Sequence, residues 1–115
     1  MPLRRVILEM GAGNDLHGGN YTKAAIRAVQ DALHHSSLSM IRALGVNKDD
    51  VRVDVTIGVQ KPDEVDTDAV KETLPVGTVT VRAVMGGLDV PDDDRDDTAV
   101  IASAAIAVSL EVPQP

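Results

Sequence analysis

The 115-residue chain has no cysteine, no tryptophan and no phenylalanine, and Tyr21 is its one aromatic residue. Without cysteine, disulfides, thiolate nucleophiles and cysteine-ligated zinc are excluded. Without further aromatics, the core has to be assembled from Val, Ile, Leu, Ala and Met. Aromatic side chains normally bury the largest areas. A single 1–115 domain of this length is therefore thinly packed by itself, and contacts between subunits are expected to add to its core. No apolar run approaches the roughly 18 residues of a membrane span, and Met1-Pro2-Leu3-Arg4-Arg5 has no signal-peptide core. A cytoplasmic protein without a membrane partner is expected. Positive charge is scarce too: 11 Lys and Arg stand against 18 Asp and Glu, a formal charge of −7. Such a field repels a phosphate backbone, and no basic stripe or stacking platform offsets it. Nucleic acid is not an expected partner.

Glycine, by contrast, is concentrated. Four of the nine glycines fall between Glu9 and Lys23, where the first apolar run meets the longest helical pattern. Arg4 to Met10 is a short apolar run with β-branched residues and reads as a strand buried on both faces. Asn20 or Thr22 is suited to cap a helix that starts near Tyr21. Ala25, Ile26, Ala28, Val29, Ala32 and Leu33 then recur at helical spacing. His34-His35-Ser36-Ser37 interrupts that pattern. Leu38, Ile41 and Leu44 resume it, as one kinked helix or as a second short one, with Gly45 in a helix-ending position.

After a turn at Asn47 to Asp50, Val51 to Val59 alternates apolar and polar residues, the clearest strand in the chain. Asp66 or Thr67 caps a short helix through Leu74. Thr78 to Met85 is a further strand, running into Gly86-Gly87. Asp89 to Asp97 reads as a solvated acidic loop, because its aspartates lack the glycine and distal glutamate of a calcium loop. Ala99 to Val112 reads as a long strand whose second face, Ile101, Ser103, Ala105, Ala107 and Ser109, is small.

The order β-α-(α)-β-α-β-β predicts an α+β fold. One layer of helices covers one face of a four-stranded mixed sheet, with the first two strands parallel and the last two compatible with antiparallel pairing. No helix remains for the other face, so a homo-oligomer with sheet faces inward is expected. Analogy with small sheet-plus-helix enzymes favours a trimer.

Gly11-Ala12-Gly13 after a strand resembles the start of a dinucleotide fingerprint. Leu16 stands where the third glycine belongs and the loop is too long, so no dinucleotide is expected. Asp15 and His17 point the same way on extended backbone. Asp15 can orient His17 as an acid/base pair, or the two can ligate a metal with His34, His35 or a distant carboxylate. Equally, Asp15 can be a turn residue and His17 a loop residue. Lys23 sits in the first helical turn, where the dipole disfavours a cation unless an anion is near. With Thr22 and the helix amides it can hold a small anionic ligand, or simply be solvated. His34 and His35 suit a helix C-terminus. Gly86 and Gly87 permit close approach of a ligand or of backbone, or form a plain turn.

Gly11, Gly13, Asp15, His17 and Gly18 form a G-x-G-x-D-x-H-G pattern, followed by Thr22-Lys23-Ala24-Ala25 and His35-Ser36-Ser37-Leu38. Across nearly the whole chain this resembles a family of short uncharacterised conserved proteins with that signature. The resemblance implies a shared fold and a shared site, without an assigned reaction. Gly11 to Asp15 and Gly86-Gly87 are also similar to one repeat of the ring-opening amidohydrolases that act on cyanuric acid and barbiturate. The catalytic lysine and serine of those enzymes are absent, with Leu8 and Met85 in their regions, so only a trimer-like arrangement is implied. The site expected from these observations uses Asp15, His17 and Lys23 for chemistry or metal binding. Gly11, Gly13, Gly18, Thr22, Gly86 and Gly87 would line it, against a small anionic or cyclic metabolite. A non-catalytic metabolite-binding oligomer and a purely structural assembly are the competing readings.

Overall fold

In the computed structural model, residues 3–34, 45, 47–74 and 77–111 are described. The strands are β1 (Leu3–Asp15), β2 (Val51–Val59), β3 (Thr78–Met85), β4 (Leu88–Asp92) and β5 (Asp97–Glu111). The helices are α1 (Tyr21–His34) and α2 (Thr67–Lys71), with single 3-10 turns at Lys48–Asp50 and Pro62–Glu64. The helical segment expected after Ser36, and His35 with it, lies outside the described residues.

The fold is α+β with a mixed sheet of five strands rather than four, in the order β1-β5-β2-β3, with β4 also paired to β5. The extra strand comes from the acidic segment. Leu88–Asp92 pairs antiparallel with Asp97–Ile101, and a tight turn joins them. Pairing turns the alternation of Leu88, Asp89 and Val90 into a ladder that composition had concealed. β2 runs along β5 as far as Gly58↔Ser103, and β4 takes over at Leu88↔Ile101. β5 is therefore flanked along its whole length.

The last strand does not pair with β3, as the chain order suggested; it inserts between β1 and β2, antiparallel to both. β1 and β2 are consequently parallel to each other but not neighbours, while β2 and β3 pair directly in parallel. The reason is burial. Val100, Ala102, Ala104, Ile106 and Val108 are an unbroken buried row on one face of β5, and only the central position shields such a row on both sides.

Both helices lie on that face: α1 packs on β1, β5 and β2, and α2 packs on β3 and α1. Asn20 caps α1 by accepting from Lys23 N–H (3.0 Å), and Asp66 caps α2 by accepting from Ala69 N–H (3.1 Å). The described core is Val- and Ala-rich: Val29, Val51, Val53, Val55, Val59, Val70, Ile57 and Ile106 are fully enclosed with Ala24, Ala25, Ala28 and Ala32. β1 is not buried on both faces. Ile7, Gly13 and Asp15 face α1, whereas Leu8 and Met10 on the opposite face are 45% and 70% exposed. No described helix covers that side.

Candidate functional site

The corner between β1 and α1 explains most of the glycine-rich stretch. β1 continues through the glycines to Asp15 instead of stopping at Met10, because α1 crosses β1 at contact distance there. A Cβ on Gly11 would lie 2.5 Å from the backbone nitrogen of Ala32, and one on Gly13 would lie 2.2 Å from that of Ala28. Ala24, Ala28 and Ala32 form the complementary small stripe on α1. Gly11 and Gly13 thus meet helix backbone on the side where a side chain would be. Gly18 and Gly19 follow with φ of +93° and +60°, the left-handed conformation that reverses the chain into the helix.

Asp15 is buried at the end of β1. Its Oδ2 accepts the Asn20 N–H at 2.9 Å, and its Oδ1 faces Lys23 Nζ at 3.9 Å and Arg27 Nη1 at 3.7 Å. The anion that makes a lysine acceptable in the first turn of α1 is therefore Asp15. A buried carboxylate needs such partners. Arg27 also donates to the Asn14 carbonyl (2.7 Å), and the Ala12 N–H donates to Asp31 (2.9 Å), so α1 side chains occupy polar groups of β1 that β5 does not take. Thr22 Oγ accepts from the Asp66 N–H (2.9 Å) and ties α1 to the start of α2.

His17 does not pair with Asp15, although both lie on one short segment. Extended backbone ends at Asp15 and bends at 16–18, which sends the two side chains apart. His17 Nδ1 instead meets Asp97 Oδ2 at 3.1 Å, a residue 80 positions away at the start of β5. Asp97 Oδ1 accepts the backbone N–H groups of Gly18 and Thr98, both at 2.9 Å. The Gly18 amide first, then His17 and the Thr98 amide, hold the Asp97 carboxyl below the usual carboxylate range. The imidazole itself is largely exposed, with a side-chain accessibility of 74%, and among the described residues no other side chain bonds it. His17 and Asp97 stand at a cleft of about 510 Å³ that Leu16, Val90, Asp92 and Ala99 also line.

A second polar feature lies under α1. The Tyr21 hydroxyl, on a buried ring, donates to Asp89 Oδ2 at 2.5 Å. Burial, the bond to Asp89, and the charges of Asp89 and Glu64 push the Tyr21 phenol up to about 12. Asp89 and Asp15 both register with Val100, from opposite sides of β5. One row of the sheet thus ends in a carboxylate on either flank. Tyr21, Asp89 and Asp97 carried no local sequence signal, since the two aspartates belong to a run of like residues.

The structure brings Asp15 and Lys23 together, places His17 with Asp97, and leaves Gly86 and Gly87 elsewhere. Gly86 and Gly87 cross the end of β2, where a Cβ on Gly87 would lie 2.1 Å from the Ile101 carbonyl oxygen and one on Gly86 would lie 3.0 Å from Gly58 Cα. The Gln60 side-chain amide donates to both of their carbonyls. The close approach there is made by backbone. Among the described residues no three His, Asp or Glu side chains stand together as a metal site, and His35 lies outside them. No described helix is long and apolar enough to cross a membrane.

A search of curated proteins finds no match to the chain. Among solved structures, it is similar to a crystal structure from Nostoc punctiforme described as an FtsZ-like protein of unknown function. The identity is 33% and the TM-score 0.84, over 97% of this chain and 99% of that one. A family model matches residues 5–108, a span that takes in the β1–α1 corner, the cleft and nearly all of β5. The chain belongs to Lin0512_fam, a family of conserved hypothetical proteins.

Proposed function

We propose that the protein binds a small polar ligand in the cleft beside His17 and acts on it by proton transfer. His17 serves as general acid or base, and Asp97 is its positioning residue. The observation that carries this reading is the 3.1 Å contact between His17 Nδ1 and Asp97 across 80 residues of sequence, at the rim of the cleft. A carboxylate on Nδ1 selects the tautomer that leaves Nε2 to accept or deliver a proton. The amides of Gly18 and Thr98 fix the carboxylate in turn, so the ring is oriented from two chain segments.

The charge of the cleft narrows the ligand. Asp92, Asp93, Asp94 and Asp97 line it, and four carboxylates oppose an anion. A neutral cyclic amide or a small amine fits this field better than the anionic metabolite that Lys23 suggested, because Lys23 faces Asp15 instead. Asp15, Lys23 and Arg27 hold the corner that carries His17.

The test is a panel of small amines and neutral cyclic amides, followed by the ring resonances of His17 and the amide resonances of Gly18 and Ala99. Saturable shifts are expected with the parent protein and at least a tenfold loss of affinity in His17→Ala. If a bound member of the panel is turned over, removing the general acid or base should slow turnover by about 10²–10⁴. Binding with unchanged affinity in His17→Ala, or no response from any member, overturns the reading. Binding without turnover leaves a metabolite-binding protein.

A further inference from the structure

The sheet face opposite the helices has a chemical gradient that runs across the strands. The register gives its rows. Leu8 of β1 neighbours Ala107 of β5, then Asp54 of β2 and Thr80 of β3. Met10, Ala105, Thr56 and Arg82 form the next row, and Ala12, Ser103, Gly58 and Val84 the one after. The β1 end is apolar and open: Met10 is 70% and Leu8 45% exposed. Next to it, β5 presents Ala107, Ala105 and Ser103, which add little height to the pleat, and β2 presents Asp54, Thr56 and Gly58. Toward β3 the first two rows are polar, ending in Asp54 with Thr80 and in Arg82, and the third ends in Val84, which is 40% exposed. Asp54 accepts from Thr80 Oγ (2.5 Å) and Arg52 Nε, and Arg82 Nε donates to Thr56.

We propose that this face is the interface with a second copy of the chain, packed face to face about a two-fold axis that crosses the strands near Ala105 and Ala107. An axis in that direction lays β1 over β1, so Leu8 and Met10 of one copy meet Met10 and Leu8 of the other. It also brings Arg82 of each copy opposite Thr80 and Asp54 of the other. An axis along the strands would set β1 over β3, apolar side chains on charged ones. Only the first arrangement matches like with like at the apolar end and opposite charges at the polar end, as an isologous contact requires.

The polar chemistry closes as well. Arg82 uses Nε within its own chain, and no described residue bonds its terminal guanidinium nitrogens. A carboxylate has about four acceptor positions, so Asp54 has room for a donor beyond Thr80 and Arg52. The small β5 residues let two sheets reach the usual spacing of about 10 Å. Four strands by eight residues cover roughly 500 Å² at the usual strand spacing and rise. Two such faces bury about 1,000 Å², the minimum for a biological interface and in the size class of weak dimers. This inference stands apart from the His17–Asp97 reading, since none of its residues lines the cleft.

The test is the mass of the full-length protein in solution, by sedimentation and by light scattering, over a range of concentrations. A dimer is expected for the parent chain. Met10→Lys should give a monomer with unchanged circular dichroism, because position 10 is exposed and outside the core. Arg82→Glu should weaken the dimer, while Gln30→Lys, on the outer face of α1, should leave it intact. The chain contains no cysteine, so single thiols report cleanly. A short thiol cross-linker should join Met10→Cys chains in pairs and leave Gln30→Cys chains single. A monomeric parent protein, a trimer, an undiminished dimer in Met10→Lys, or cross-linking at position 30 in place of position 10 overturns the proposal. Either result is independent of whether His17→Ala alters ligand binding.

Discussion

Tyr21 is the one aromatic side chain of the protein, and its ring is buried at the first residue of α1 with its hydroxyl on Asp89. Ionising it would place a second negative charge beside that carboxylate, away from water. Burial and Asp89 therefore raise it to about 12, against about 10 for a free tyrosine. The sign follows from linkage: the folded state favours the neutral phenol. Its contribution is complete below pH 10 and is lost as the pH rises from 10 through 12. Alkaline titration followed by tyrosinate absorbance reads this residue alone. Half-ionisation is expected near pH 12 in the native protein and near 10 in denaturant, and Asp89→Asn should lower the native midpoint. A native midpoint at 10 would show that the hydroxyl is not held. None of this was legible in the chain, because Asp89 is one aspartate among six in a short acidic segment and nothing local distinguishes it.

At the scale of elements, the β1–α1 corner decides the geometry of everything near it. Gly11 and Gly13 allow α1 to sit on β1 at backbone distance, and the Ala24, Ala28 and Ala32 stripe is its counterpart. Gly13→Ala has to push a helix off a strand, since its Cβ would stand 2.2 Å from backbone. Overpacking of this kind costs about 1–3 kcal/mol and more where backbone is the obstacle. Gly19→Ala meets no neighbour within 4 Å and incurs only the left-handed conformation, about 1–2 kcal/mol. Denaturant unfolding should therefore place Gly13→Ala at or above Gly19→Ala in lost stability. The reverse order would remove close packing as the reason for the first glycines. The motif was visible in the sequence, as was the Asn20 cap. Its division into packing glycines, an Asp15 anchor and a His17 that turns elsewhere was not, because alternation along a strand predicts side-chain direction only while the strand lasts.

Over the whole molecule, stability rests on β-branched residues around β5. Val100, Ile106 and Val108 are fully enclosed between α1 and the neighbouring strands. Ile106→Ala should cost about 2–5 kcal/mol, as buried Ile-to-Ala changes do, measured as a fall in the unfolding free energy at constant m-value. A loss below 1 kcal/mol would mean that β5 does not carry the core. The alternation of Val51 to Val59 and the two-faced pattern of the last strand determined, from sequence alone, that these segments are strands and which sides of them are buried. The same is true of the helix after Asn20. The tertiary structure decided three things. β5 lies between β1 and β2 because its buried row needs neighbours on both sides. The acidic segment becomes β4 because β5 extends beyond β2. His17 belongs to Asp97 because the chain bends after Asp15. Periodicity records which side of a segment meets apolar matter; which segment lies beside it is set by the packing of the entire sheet.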